Sequence, residues 1–160
     1  MSFLAVRPAL PQDEVFLHDL YFAVRGPEFA LAPISEAQRL ALIEMQFRAQ
    51  MGAYAAMYPN SCYHIVLLDS RPIGRLWVAR QEDGYDLVDI AILPDLRNKA
   101  IGAALIQRLQ ADAQQAKLPI RSTVLRFNPG SLRFHQRLGF QIVREDAMQF
   151  HMEWQPPPLL

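Results

Sequence analysis

Only one cysteine, Cys62, occurs in the 160 residues, so the chain can build neither a disulfide framework nor a thiolate zinc site, and a reducing compartment is expected. Net charge is missing as well: sixteen Lys and Arg balance sixteen Asp and Glu. That removes the electrostatic case for nucleic acid or an acidic membrane surface as partner, and any bound anion must be held locally. No apolar run approaches the roughly 18 residues of a membrane span, and the opening SFLAVRPAL meets Arg7 and Pro8 too early for a secretory signal. His18, His64 and His151 show no metal-ligand spacing and read as structural, so no metal is expected. Repeats and low-complexity segments are absent apart from the last few residues. The expectation is a cytoplasmic protein, monomer or homodimer, with no nucleic-acid or membrane partner.

What is present is enough for one domain, read as residues 1–155 with a short tail at 156–160. FLAVR, residues 3–7, reads as a strand. Pro11 followed by Gln12, Asp13 and Glu14 signals a helix start, and Leu17, Leu20, Tyr21 and Val24 form its stripe up to Gly26 and Pro27. Ser35 with Gln38 three places on is a capping box for a second helix, whose apolar positions Leu40, Ile43, Phe47, Met51, Tyr54 and Tyr58 keep the 3.6 period to Pro59. The pattern then changes to β. HIVLL, a turn at Asp69 to Pro72, IGRLWVAR, a turn at Glu82 to Gly84, and YDLVDIAIL make an antiparallel meander. A long helix runs from about Lys99 to Lys117, with Pro119 marking its end. IRSTVLRF, residues 120–127, reads as a strand, SLRFHQRL as a short helix closed by Gly139, and Met148, Phe150, Met152 and Trp154 as the inward side of a last strand. That last strand, MQFHMEW, is a candidate edge for pairing across a dimer.

Two segments carry chemistry. In PDLRNKAIGAAL, residues 94–105, a strand feeds a short loop and then a helix, so the first free N–H groups of the helix face the strand end, a phosphate-binding arrangement. Arg97 and Lys99 add charge and Gly102 permits close approach; the alternative is a solvated loop in which Gly102 only packs the helix. No Gly-Lys-Ser/Thr follows and no glycine triplet is present, so neither nucleotide fingerprint is met. In NPGSLRFHQRLGF, residues 128–140, Asn128 stands at a strand end, where it serves a ligand or caps the turn. His135, one turn above Ser131, titrates near neutrality unless it is simply a buried helical histidine.

Together these segments resemble the GNAT superfamily of acyl-CoA-dependent N-acyltransferases. The resemblance covers nearly the whole chain in element order and is most specific over residues 86–140. DIAILPDLRNKAIGAAL is similar to the family's pyrophosphate loop, Gln/Arg-x-x-Gly-x-Gly/Ala, with Arg97 at the first position, Gly102 at the last and Ala100 where the first Gly usually stands. The second segment matches at Asn128, Ser131, Leu138, Gly139 and Phe140, with His135 where the family usually carries Tyr.

The resemblance implies an α/β (α+β) fold: a mixed, mostly antiparallel sheet of six to seven strands, the fourth and fifth parallel and splayed, flanked by about four helices. It implies acetyl-CoA as co-substrate and transfer of the acyl group to an amine by direct attack. The pantetheine would pair with Ile90, Ala91, Ile92 and Leu93. The pyrophosphate would take N–H groups of Asn98, Lys99, Ala100, Ile101, Gly102 and Ala103, with Arg97 beside them, and Asn128 and Ser131 would steady the arm. Asp89 is the first candidate for taking the amine proton, with Asp86 behind it; either carboxylate instead pairs with Arg75 or Arg80. His135 is the candidate proton donor to the departing thiolate. Tyr54, Tyr58, Arg75 and Trp77 are candidate acceptor-binding residues, the plainer reading being core. Two other classes stay open: a catalytically idle acyl-CoA-binding or protein-interaction module of the same fold, and a nucleotide-phosphate enzyme using the Arg97–Gly102 loop.

Overall fold

The computed structural model describes residues 1–159. Seven strands and four α-helices follow in chain order: β1 (Leu4–Pro8), α1 (Glu14–Arg25), α2 (Glu36–Met57), β2 (Tyr63–Leu68), β3 (Arg71–Gln81), β4 (Gly84–Ile92), α3 (Ile101–Ala116), β5 (Ile120–Leu125), α4 (Pro129–Arg137), β6 (Gln141–Glu145) and β7 (Gln149–Trp154). The strands hydrogen-bond in the order β1-β2-β3-β4-β5-β7-β6. The β4–β5 pair is parallel, whereas β1–β2, β2–β3, β5–β7 and β6–β7 are antiparallel. The chain forms two compact units, one of Met1–Trp77 with Asp89–Lys99, the other of Val78–Val88 with the residues from Ala100 onward.

In the first unit, Pro11 opens a single 3₁₀ turn before α1, and the Asp13 carboxylate is gripped by both Nη atoms of Arg7 at 2.7 and 2.8 Å and by the Leu10 N–H at 2.8 Å. The capping box at Ser35 is present, its hydroxyl accepting from the Gln38 N–H at 3.1 Å while the Gln38 side chain accepts from the Ser35 N–H at 2.9 Å. Leu17 and Tyr21 of α1 and Ile43 and Phe47 of α2 bury against Ile65 of β2. A large apolar side chain buried to this degree contributes about 1.5–3 kcal/mol, which fixes the two helices on the strands. Leu40 and Tyr58, expected in the α2 stripe, are exposed and half-buried respectively. The hairpin between β2 and β3 is tighter than the expected turn. Asp69 and Ser70 both take positive φ, 49° and 69°, so two residues close it and Pro72 falls inside β3 opposite Leu67.

In the second unit, Ile101, Leu105, Ile106, Leu109 and Ala113 make the buried stripe of α3, and Ile120 and Val124 of β5 and Met152 of β7 are equally buried. The helix ends with Lys117 at φ 58° and the Leu118 N–H returning to the Ala113 carbonyl, just before Pro119. The parallel β4–β5 ladder covers three pairs only, Tyr85 with Ile120, Asp86 with Arg121 and Leu87 with Ser122. The expected edge strand MQFHMEW is interior: β7 is paired on one side by β5 and on the other by β6, and Met148 lies before it, exposed. The strand β6 has no counterpart in the sequence pattern, because every one of its residues is exposed and no alternation marks it.

Candidate active site

In the first unit, Asp89 on β4 meets Arg75 on β3. The Arg75 Nε and Nη2 donate to one oxygen of Asp89 at 2.9 and 2.7 Å, Nη2 also to the Gln50 side-chain oxygen at 2.9 Å, and Nη1 approaches the Met51 sulfur at 3.1 Å. Arg75 is buried, with its guanidinium 5.8 Å from the Trp77 ring, whereas the Asp89 side chain keeps 20 % exposure. Of the two partners open to Asp89, Arg75 is the one that meets it; Arg80 lies over the Tyr85 ring, and Asp86 pairs with Arg121 at 2.8 Å. Asp89, Arg75 and Ala91 share a recess of about 40 Å³ with Tyr21 of α1 and Gln50 of α2. Burial raises the Tyr21 and Tyr54 hydroxyl pKa values, so both stay protonated donors.

The four candidate acceptor residues divide. Trp77 is core: it is 3 % exposed, its indole N–H donates to the Ser61 hydroxyl at 2.8 Å, and Tyr54 stands edge-on to it at 5.4 Å. Tyr58 ends α2 with its N–H on the Tyr54 carbonyl. Of the four, Arg75 borders the recess. Gln50 and Tyr21 escape sequence reasoning as site residues, since nothing in a helical stripe distinguishes a polar neighbour that turns toward a buried arginine.

Ile90, Ala91, Ile92 and Leu93 are half-buried at the end of β4, and the Leu93 N–H is already committed to the Ile73 carbonyl at 2.9 Å. After a 3₁₀ turn over Pro94–Leu96 the loop makes two left-handed steps, Asn98 at φ 61° and Ala100 at φ 60°. Asn tolerates this geometry; Ala pays for it. Ala100 is the N-cap of α3 and has no side chain to cap with, so the first N–H bonded within the helix is that of Ala104, to the Ala100 carbonyl at 3.0 Å. The N–H groups of Ile101, Gly102 and Ala103 precede it, with no acceptor inside the helix. Arg97, Asn98, Lys99 and Ala100 are exposed, and among the described residues neither Arg97 nor Lys99 has an ion-pair partner.

In the second unit, Asn128 spends its side-chain oxygen as N-cap of α4, accepting from the Ser131 N–H at 3.1 Å, a bond in which its NH₂ group takes no part. His135 is only 4 % exposed. Its Nδ1 lies 2.8 Å from the Ser131 carbonyl, an acceptor, so Nδ1 carries the proton and Nε2 accepts from the Ser122 hydroxyl at 3.1 Å. Burial lowers its pKa, opposed only by the Ser131 carbonyl. Both ring nitrogens are thus satisfied within the protein, and the lowered pKa favours the neutral imidazole over the imidazolium. Ser122, its partner, does not stand out in the sequence because it occupies an ordinary alternating position on β5.

Among the described residues no group of His, Cys, Asp and Glu is arranged to hold a metal, and no helix is long and apolar enough to cross a membrane. A family model described as "Acetyltransferase (GNAT) family" matches residues 29–140. Among solved structures, a PaiA N-acetyltransferase from Thermoplasma acidophilum in complex with coenzyme A superposes with TM-score 0.73 at 18 % identity, over 96 % of this chain and 99 % of its own. An acetyltransferase from Thermus thermophilus gives 0.70 at 20 % identity, over 95 % and 96 %. The ribosomal-protein-S18-alanine N-acetyltransferase from Escherichia coli gives 0.64 at 14 %, over 98 % and 96 %. No curated protein matches the sequence.

Proposed function

We propose, from the premise that this chain belongs to the GNAT acetyltransferase family, that it transfers an acetyl group from acetyl-CoA to a primary amine of a small molecule or a protein, by direct attack in a ternary complex and in the cytoplasm. The observation that carries the reading is the start of α3: uncapped, preceded by two left-handed residues, and inside the family match. Those features fit a pyrophosphate, because successive N–H groups in a turn leading into a helix form a concave anion site that needs no net protein charge. The coenzyme A in the Thermoplasma structure supports the same ligand here.

Acetyl-CoA supplies an activated thioester carbonyl. The N–H groups of Asn98 to Ala103 hold its pyrophosphate, with Arg97 and Lys99 adding charge, and the backbone of Ile90 to Ile92 aligns the pantetheine arm. The NH₂ group of Asn128, with Ser131 behind it, steadies that arm. The Ile92 N–H donates to the carbonyl oxygen as negative charge builds there. Asp89 accepts the amine proton through the oxygen that Arg75 does not occupy, a step demanded because an amine of pKa about 8–10.4 is mostly protonated at neutral pH. Arg75 holds the carboxylate in place. His135 ties α4 to β5 through Ser122, which keeps Asn128 in position, and donates no proton.

A neutral, buried His135 also favours a second reading, an acyl-CoA-binding module without turnover. Incubation of the protein with acetyl-CoA and a panel of primary amines, following free thiol, separates the two. Turnover with any amine is expected; coenzyme A binding without turnover across a broad panel establishes the idle module instead. Thermal stabilisation by ATP and not by coenzyme A overturns both in favour of a nucleotide enzyme.

A further inference from the structure

The first unit holds a second and larger cavity, of about 500 Å³, that the proposed reaction does not use. Leu17, Phe47, Met51 and Tyr63 make its walls apolar and aromatic, and two lining residues bring charge of opposite sign, Glu14 from α1 and Arg48 from α2. Both are exposed, so the charges stand at the mouth. Among the described residues Glu14 has no ion-pair partner, and Arg48 gives only its Nε to Glu44, at 2.7 Å, leaving both terminal nitrogens unpartnered. Leu17 lines this cavity and the Asp89 recess alike.

Protein interiors are close-packed, and an apolar hollow of a few hundred Å³ with a small number of polar groups at its mouth has the dimensions and lining of a small-molecule site. We propose that this cavity binds a zwitterionic α-amino acid with a large apolar side chain. The side chain lies among Phe47, Met51 and Tyr63, the ammonium meets Glu14 and the carboxylate meets Arg48. The mouth chooses this class by charge. A fatty acid leaves Glu14 unanswered, a diamine leaves Arg48 unanswered, and a neutral hydrocarbon uses neither.

Calorimetric titration of the protein without acetyl-CoA tests the site independently of acetyl transfer, using L-phenylalanine, phenethylamine, which lacks the carboxylate, and hydrocinnamate, which lacks the ammonium. One-to-one binding of L-phenylalanine is expected, with each half-molecule roughly three- to tenfold weaker, as exposed charged contacts allow. Arg48→Gln should reduce L-phenylalanine to the affinity of phenethylamine, Glu14→Gln to that of hydrocinnamate, and Ala9→Trp, which projects bulk from the cavity lining, should abolish binding while circular dichroism stays native. No saturable binding of L-phenylalanine, half-molecules that bind as tightly as L-phenylalanine, or binding that survives in a folded Ala9→Trp variant overturns the proposal.

Discussion

Arg75 donates through Nε and Nη2 to the same oxygen of Asp89, at 2.9 and 2.7 Å, and so leaves the second carboxylate oxygen uncommitted in the recess lined by Tyr21 and Gln50. With one oxygen held and one free, the carboxylate is anchored and still able to take a proton. Asp89→Asn is therefore expected to lower kcat by about 100-fold or more, the usual yield of a positioned base, with KM for acetyl-CoA changed only a few-fold. Arg75→Ala should lower kcat as well, because it releases that carboxylate, and in addition lower stability by about 2–3 kcal/mol, somewhat less than for a fully buried pair because Asp89 keeps 20 % exposure. Steady-state kinetics and urea unfolding on the two variants check the division.

Ala100 at φ 60° places an ordinary L-residue where glycine is at ease. The left-handed step costs Ala roughly 1–2 kcal/mol, while Gly brings back about 0.5–1 kcal/mol of unfolded-state entropy. Ala100→Gly should thus stabilise by up to about 1 kcal/mol. It should also leave coenzyme A affinity equal or tighter, since every N–H of the loop is retained. Ala100→Val, β-branched, should destabilise and weaken coenzyme A binding together. Thermal melts with and without coenzyme A decide this; a Gly variant that melts lower than the parent means that Ala100 bears no strain.

Gly74 on β3 has no room for a side chain: a Cβ there would lie 2.3 Å from the Ala91 carbonyl oxygen and 2.7 Å from the Ile92 Cδ1. Backbone cannot yield as a side-chain tip does, so Gly74→Ala should displace the end of β4. The expected outcome is a loss of about 2 kcal/mol or more. A larger relative loss of coenzyme A affinity than in Arg75→Ala should accompany it, because the displaced segment is the one proposed to align the pantetheine. Isothermal titration with coenzyme A on both variants makes the comparison.

The parts of this molecule legible in sequence are those where one local rule decides. Ser35 and Gln38 cap α2 as a box, Pro119 follows the end of α3, and Gly139 takes φ 89° after α4, each from a signal a few residues wide. The strand β6 has no such signal, since its residues are all exposed and Ile142 and Val143 read as an irregular apolar pair. Nor does the Asp69–Ser70 turn, which takes two left-handed residues without glycine. Partner choice is illegible for a different reason. Arg75 and Arg80 are equally basic, and only the folded chain, with Gln50 and Met51 of α2 packed on Arg75, gives Asp89 to the first. His135 shows the limit most clearly: its tautomer follows from Ser122 and Ser131, which periodicity does not place against it, and its lowered pKa from burial.

The neutral His135 makes its own prediction, with a definite sign. Its folded pKa is lowered by burial from the ordinary 6.5. The unfolded chain thus takes up the proton first as pH falls, and the stability His135 contributes is complete above that value and is lost between it and the lower folded value. Melting temperature should drop from pH 8 to pH 5, and His135→Gln, which cannot titrate, should melt lower at pH 8 yet lose less on acidification. The remaining histidines are common to both proteins, so the difference in slope belongs to His135. Catalysis reads out separately. If the imidazole only ties α4 to β5, kcat should rise from pH 6.5 to 8.5 as the amine loses its proton, and the Gln variant, able to accept from Ser122 and donate to the Ser131 carbonyl, should keep kcat within a few-fold. A rate that falls across that range in the parent, with a folded Gln variant about 100-fold slower, would instead make His135 the acid.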